Sequence, residues 1–316
     1  MADKLLIFEP ESAEELAHYA EVFARDLPEA TIHTAHTLDE ALKARDATAL
    51  IAKAQLIPRE LVAALPGLKW VQSLISGVDH LRPLGLPDGV LVTAARGFHG
   101  PQMAELAMML MLALNRRLPE MLENQKACRW DHRSQPLLVN KTAVIVGLGN
   151  IAEMVADRCR AFGMTVIGVS NGRTEVPGFA QVFPRDRLPE AAALADFLIA
   201  LVPYEPATHH LIGAQVFAAM KPSAYFINIA RGGVADEAAL ITALEGGQIA
   251  GAGLDVFSSE PLPPEHPLWR TERLIITPHV GGRSDIYAQQ VAPQVIENAR
   301  NFIAGRPERM THRVTL

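Results

Sequence analysis

The apolar run TAVIV, residues 142–146, leads without a break into Gly147-Leu148-Gly149-Asn150-Ile151-Ala152 and then into the helix-forming stretch EMVADRCRAFG. A strand that turns through glycines into a helix restricts the fold strongly, because it opens a strand-helix-strand unit whose strands lie parallel. Gly147 permits the tight turn, Gly149 lets the backbone approach an anion, and Ala152 takes the helix-packing position where a small residue is needed. The amides of the first helical turn then face a phosphate. That is the context a dinucleotide fingerprint requires. Outside it, G-x-G-x-x-A would be an ordinary strand-to-helix turn.

The same alternation runs through most of the chain. Residues 1–95 read as LLIF, an amphipathic segment from Ser12, TIHTA, LDEALKA, ATALIA, LVAAL, WVQSLI and VLVTAA. RGFHGP, Arg96 to Pro101, interrupts the pattern with two glycines and a proline and reads as a hinge. A helix rich in Met, Leu and Ala follows from Gln102 to Arg117, then a polar stretch through Gln135. The second series contains TAVIVGLG, MTVIGVS, DFLIALV, AYFINIA, IAGAGLDV and LIITPHV, and a helix over Asp285–Ala304 leads to a tail whose VTL ending returns to the first domain. A chain of 316 residues exceeds one compact domain of about 100–200. The expected fold is α/β, with two Rossmann-like doubly wound parallel-sheet domains and a cleft between them. Residues 1–97 with 285–316 form a flavodoxin-like, substrate-binding domain, and 98–284 form the dinucleotide-binding domain.

Composition removes several classes of function. Hydrophobic residues make up 49% and charged residues 20%, which is globular. The net charge is −6 and the basic residues form no stripe, so nucleic acid is not an expected partner. MADKLLIFEP holds four apolar residues before an acid and a proline, too few for a leader, and the nine-residue run Leu106 to Leu114 is too short to cross a bilayer. Cys128 and Cys159 make neither a disulfide framework nor a metal-type spacing. No metal is expected, and a reducing, cytoplasmic setting is.

About 20 residues beyond a fingerprint loop, an acid commonly reads the ribose 2′-hydroxyl. This chain has Val169-Ser170-Asn171-Gly172-Arg173 there, with no carboxylate to repel a 2′-phosphate. Ser170 and Asn171 can donate hydrogen bonds, and Arg173 can pair with the phosphate. NADP(H) is therefore the favoured cofactor and NAD(H) the alternative. The competing reading is that Arg173 is a solvated loop residue.

Four more segments carry chemistry: INIARGG with Arg231, GLDVF with Asp255, SSEPLPPEHPLW with Glu260, and TPHVGG with His279. With SGVDHL at Ser76–Leu81, MAEL at Met103–Leu106 and VPYEPATHHLIG, they make the chain resemble the D-isomer-specific 2-hydroxyacid dehydrogenase family over most of its length. The chemistry of these residues agrees. Reducing a 2-keto acid needs a cation for the carboxylate and the ketone, and a proton donor for the developing alkoxide. Arg231 supplies the planar guanidinium. His279, between a strand-ending proline and two glycines, is the acid/base, and Glu260 favours and orients its imidazolium.

The resemblance further implies that Ser76, Gly77 and Val78 offer backbone amides to the substrate beside Arg231 and His279. It places Val202, Pro203, Ile229, Ala230, Asp255, His279 and Gly281 with the glycine loop around the cofactor, Asp255 on the nicotinamide carboxamide. The competing reading of Asp255 is a helix or turn cap. Ser170, Tyr204 and the RGFHGPQMAE hinge depart from the family's usual pattern, and no added regulatory domain is expected.

The activity expected is hydride transfer between NAD(P)H and the carbonyl carbon of a small 2-keto acid, giving a D-2-hydroxy acid. Two alternatives are a dinucleotide-sensing scaffold without enzymatic activity and a formate-type dehydrogenase. Glu260, where the latter group carries a glutamine, argues against the formate type. A homodimer is expected because the helix through Met103–Leu114 is apolar over more than one face.

Overall fold

The computed structural model describes residues 3–316; Met1 and Ala2, the start of the segment read for a leader, lie outside the described residues. The chain divides into two compact units, the residues through Phe98 with Ser284–Leu316, and His99–Arg283.

The first unit holds strands β1 (Lys4–Phe8), β2 (Thr31–Ala35), β3 (Ala49–Ala52), β4 (Trp70–Ser73) and β5 (Leu91–Ala94) in one parallel sheet of order β2-β1-β3-β4-β5. Both faces are covered, as parallel sheets require. Side chains alternate across it: Leu5 and Ile7 pack with helices Ala13–Asp26 and Tyr287–Ile303, and Leu6 and Phe8 pack on the other face. The C-terminal tail bonds to β5, with Val314 N donating to Val92 O at 2.9 Å.

The second unit holds β6 (Thr142–Val146), β7 (Thr165–Val169), β8 (Gln181–Phe183), β9 (Phe197–Ala200), β10 (Tyr225–Asn228), β11 (Gly251–Leu254) and β12 (Leu274–Ile276), all parallel, in the order β12-β11-β10-β9-β6-β7-β8. The order reverses between β6 and β9, and the carboxyl ends of strands at such a reversal are where open sheets of this kind bind ligands. Strand β8 is an edge strand of three residues and was not among the expected strands.

Helix Gly100–Asn115 corrects the reason given for a dimer. Met103, Leu106, Met108, Leu110, Met111 and Leu114 are buried within its own unit, against helix Asn150–Ala161 and the sheet. The exposed apolar surface lies just beyond it. Helix Leu118–Lys126, inside the stretch read as polar, has no buried residue, and Trp130 is 92% exposed. Among the described residues no helix is long and apolar enough to cross a membrane.

Candidate active site

The glycine turn sits where the strand order reverses. Gly147 has φ +99°, and a Cβ there would lie 2.8 Å from the Leu201 carbonyl carbon and from Val202 Cγ1, so both conformation and space demand glycine. Gly149 is different. A Cβ on it would meet nothing within 4 Å, so packing does not explain the missing side chain. It precedes helix Asn150–Ala161, whose first turn has no side-chain cap, leaving the amides of Asn150 and Ile151 for an outside acceptor. A diphosphate fits this cradle. Leu148 is partly buried in the core, and Ala152 is fully packed there.

At the end of β7, Ser170 Oγ accepts from Gly172 N (3.2 Å) and Arg173 N (3.1 Å), closing a tight turn. Asn171 Oδ1 accepts from Arg185 N at 3.1 Å. Arg173 does not stand free. Its guanidinium donates to Leu148 O at 3.2 Å and forms an ion pair with Glu153, on the first turn of the helix after the glycines. The turn carries no acid, as its sequence says, but the helix brings one beside it. A local reading could not find Glu153, 20 residues earlier in the chain.

Arg231 begins the loop after β10 in extended backbone. The buried Asn228 shapes that loop, its Nδ2 donating to Arg231 O and its Oδ1 accepting from Ala230 N, both at 3.1 Å. A Cβ on Gly232 would lie 1.8 Å from the Phe257 carbonyl carbon, so the loop passes directly against the segment leading to Glu260. Ile229 and Ala230 are buried, and so is Val202 after β9, so their contribution to a ligand would come from backbone. Pro203 and the exposed Tyr204 follow Val202. The Tyr204 ring lies against the Arg231–Gly233 loop, and its hydroxyl bonds His209 Nδ1 at 3.1 Å.

Asp255, 1% exposed, follows β11 directly and grips the loop that carries the histidine. Its Oδ1 accepts from Thr277 Oγ1 (2.5 Å) and Val280 N (3.0 Å), and its Oδ2 from Gly281 N (2.9 Å). These bonds make it the clamp of that loop, the turn-capping role. His279 itself has φ +51°, an uncommon conformation for a residue with a side chain, held by those bonds. Its Nδ1 lies 2.6 Å from Glu260 Oε2, while Glu260 Oε1 accepts from Phe257 N at 2.8 Å. Partial burial pushes the Glu260 carboxyl up. The bonds from His279 and Phe257 and the positive charges of His279 and Arg231 outweigh it, holding the group below the usual carboxylate range.

Three further residues were not among the expected site residues. His99 lies against Gly282, with its Cδ2 2.7 Å from where a Cβ on that glycine would sit. Burial, with the charge of Arg231, holds its imidazole down to about 4, so it is neutral beside the guanidinium. Arg185 and His209 are the others, and each is visible only through its partner. Ser76, Gly77 and Val78 belong to the first unit, in the turn beyond β4.

Residues 108–281 match the profile described as D-isomer specific 2-hydroxyacid dehydrogenase, NAD binding domain. The chain is 38% identical over 262 residues to the mouse glyoxylate reductase/hydroxypyruvate reductase, covering 78% of this chain and 76% of that one. It is 33% identical over 289 residues to the D-3-phosphoglycerate dehydrogenase of Methanocaldococcus jannaschii, which takes in 89% of this chain and 54% of the relative, so it spans about half of that protein's length. Its fold is similar to that of the NADPH-dependent glyoxylate/hydroxypyruvate reductase of Sinorhizobium meliloti, solved with NADP and sulfate, at TM-score 0.83 and 29% identity over 99% of this chain and 98% of the other. The glycine cradle at the strand reversal and the Glu260–His279 pair thus lie in a domain that this lineage shares, and the chain belongs to the D-isomer-specific 2-hydroxyacid dehydrogenase family.

Proposed function

We propose that this protein is a reductase that transfers a hydride from NADPH to the carbonyl carbon of a small 2-keto acid, giving a D-2-hydroxy acid. The observation that carries the reading is the 2.6 Å bond from His279 to an ionised Glu260, with Arg231 close enough for its charge to act on that carboxylate. A bound nicotinamide would supply the hydride. Arg231 holds the substrate carboxylate and polarises the ketone oxygen. His279 protonates the alkoxide as it forms, and Glu260 keeps the imidazolium oriented.

The activity is tested by following NADPH oxidation with glyoxylate, hydroxypyruvate and larger 2-keto acids. Turnover of at least one is expected. Cofactor binding without turnover of any of them would favour a sensing scaffold instead.

NADP(H) preference follows from the turn at Ser170–Arg173, which offers hydrogen-bond donors and a guanidinium and no acid of its own. The relative from Sinorhizobium meliloti, solved with NADP, supports the same reading. NADPH should exceed NADH by about tenfold or more in kcat/KM, the worth of one charge-assisted contact. A cytoplasmic setting fits two unpaired cysteines, one of them, Cys159, buried with its thiol pushed up to about 12.

We also propose a homodimer, now on a different surface from the one expected. Leu118, Met121, Leu122, Trp130 and Leu137 are exposed along one stretch of chain. A buried tryptophan is a common anchor of such interfaces. Trp130→Ser should weaken dimerisation by about 30-fold or more, the equivalent of about 2 kcal/mol, measured by sedimentation equilibrium. A wild-type chain that is monomeric at micromolar concentration would refute the dimer.

A further inference from the structure

The phosphate-binding arginine expected from the sequence is Arg173, yet its guanidinium is already engaged by Glu153 and by the Leu148 carbonyl. For Arg173 to take a phosphate, it must leave Glu153 or seat the phosphate beside that carboxylate. Either route weakens the contact, since like charges in close range repel.

A second guanidinium is better placed to act. Strands β7 and β8 pair side by side, with Val169 opposite Phe183, and Ser170 N donates to Phe183 O at 2.9 Å. Two residues on, Arg185 N donates to the Asn171 side chain at 3.1 Å. The two strand ends are therefore stitched together, and Arg185 leaves the sheet beside the turn that reads the ribose 2′ position in this fold. Its side chain is 21% exposed, and among the described residues the one acid it approaches is Glu205, at 3.9 Å. That separation is beyond hydrogen-bond length. Arg185 is thus a sheltered guanidinium whose fork of donors remains available, held in place by its surroundings and not by a strong counter-ion.

We propose that Arg185 is the principal anchor of the 2′-phosphate of NADP(H), with Arg173 in a supporting role restrained by Glu153. The inference rests on the dinucleotide reading of the second unit and assigns its specificity to a residue outside the fingerprint and its following turn. An arginine that served only to pair with Glu205 would be expected at shorter range and with paired geometry.

Calorimetric titration with 2′,5′-ADP and with 5′-AMP tests it without turnover. The two probes share the adenosine and differ at the 2′-phosphate. The wild type should bind 2′,5′-ADP at least about tenfold more tightly. Arg185→Ala should lose most of that difference while its affinity for 5′-AMP stays within about twofold, and Arg173→Ala should lose less. Arg185→Lys, which keeps the charge but not the fork, should fall between wild type and Arg185→Ala. Glu205→Gln should tighten 2′,5′-ADP binding by removing the competing carboxylate. If the wild type discriminates and Arg185→Ala discriminates equally well, or if Arg185→Ala weakens both probes alike, the role of Arg185 is overturned while the NADP(H) reading stands. A wild type that binds both probes equally overturns that reading and this one with it.

Discussion

His279→Gln should lower turnover by about 10²–10⁴, the usual contribution of a positioned acid/base, with cofactor affinity nearly unchanged. Glutamine is close in size and can hydrogen bond, but it cannot hand a proton to an alkoxide. With Nδ1 bonded to Glu260 Oε2, the second ring nitrogen is the one left for the substrate oxygen. Glu260→Gln separates orientation from charge. It keeps a bond acceptor near the ring and removes the negative charge, so turnover should fall by less than in His279→Gln.

The sign of the acid side follows from Glu260 itself. Its folded-state value is depressed, so the charged pair is present above the ordinary glutamate range and is lost as pH falls through the lower folded value. Activity between pH 6 and 8 should therefore show no limb from Glu260. Single-turnover rates and nucleotide titrations on the same preparations check these outcomes. A His279→Gln enzyme that turns over at the wild-type rate, or that loses cofactor binding in step with rate, would remove His279 from the chemistry.

Much of this was readable because parallel strands buried on both faces appear as unbroken apolar runs. TAVIV and FLIA are such runs, and each became a central strand. Strand β8 was not readable, since an edge strand of three residues buries only Phe183 fully. Helix Leu118–Lys126 was absorbed into a polar stretch because its apolar residues, Leu118, Met121 and Leu122, span a single turn before the polar ENQK, too short a stripe to mark a helix by itself. Arg231 followed by two glycines, and a proline before His279, carry local signals of close approach and of a strand end. The Glu153–Arg173 pair and the seat of His99 carry none. They arise where separate elements converge, and only tertiary packing brings their members together. Asp255 was legible as a position and as a cap, while the partners of that cap, Thr277, Val280 and Gly281, were not, because the loop meets it only in the folded chain.

Lys53→Met should destabilise the first unit by about 3–5 kcal/mol, the range for breaking a buried ion pair by removing one partner. In that unit the strand order reverses between β1 and β3. The residues just beyond those two strands, Glu9 and Lys53, meet there at 3.1 Å with 0% and 8% side-chain exposure. Lys53 also reaches Glu15 at 3.0 Å and Glu11 at 3.6 Å. Glu9 in turn accepts from Glu11 N at 2.9 Å and Ser12 N at 3.3 Å, fixing the entry into helix Ala13–Asp26. One ammonium therefore ties the strand reversal to the first helix.

Methionine preserves most of the lysine's apolar length but leaves Glu9 buried without its counter-charge. Against a typical total of about 5–15 kcal/mol for a domain, the loss is large. Because two units need not unfold together, hydrogen exchange of β1 and β3 amides in the full chain is the measurement, with protection expected to fall by about two to four powers of ten if these amides exchange through opening of the unit. Adding Glu9→Gln should recover part of it, since the orphaned charge is then gone.

The pH dependence has a definite sign. Burial pushes the Lys53 ammonium down, but Glu9 and Glu15 more than reverse this, leaving it above the ordinary lysine value of 10.5. Its contribution is then complete below 10.5 and is lost only as pH rises through the higher folded value. The gap between wild type and Lys53→Met should hold constant through the neutral range and narrow in alkali as the ammonium loses its proton. Equal protection of β1 and β3 in the two proteins at neutral pH would show that the ammonium stabilises nothing there.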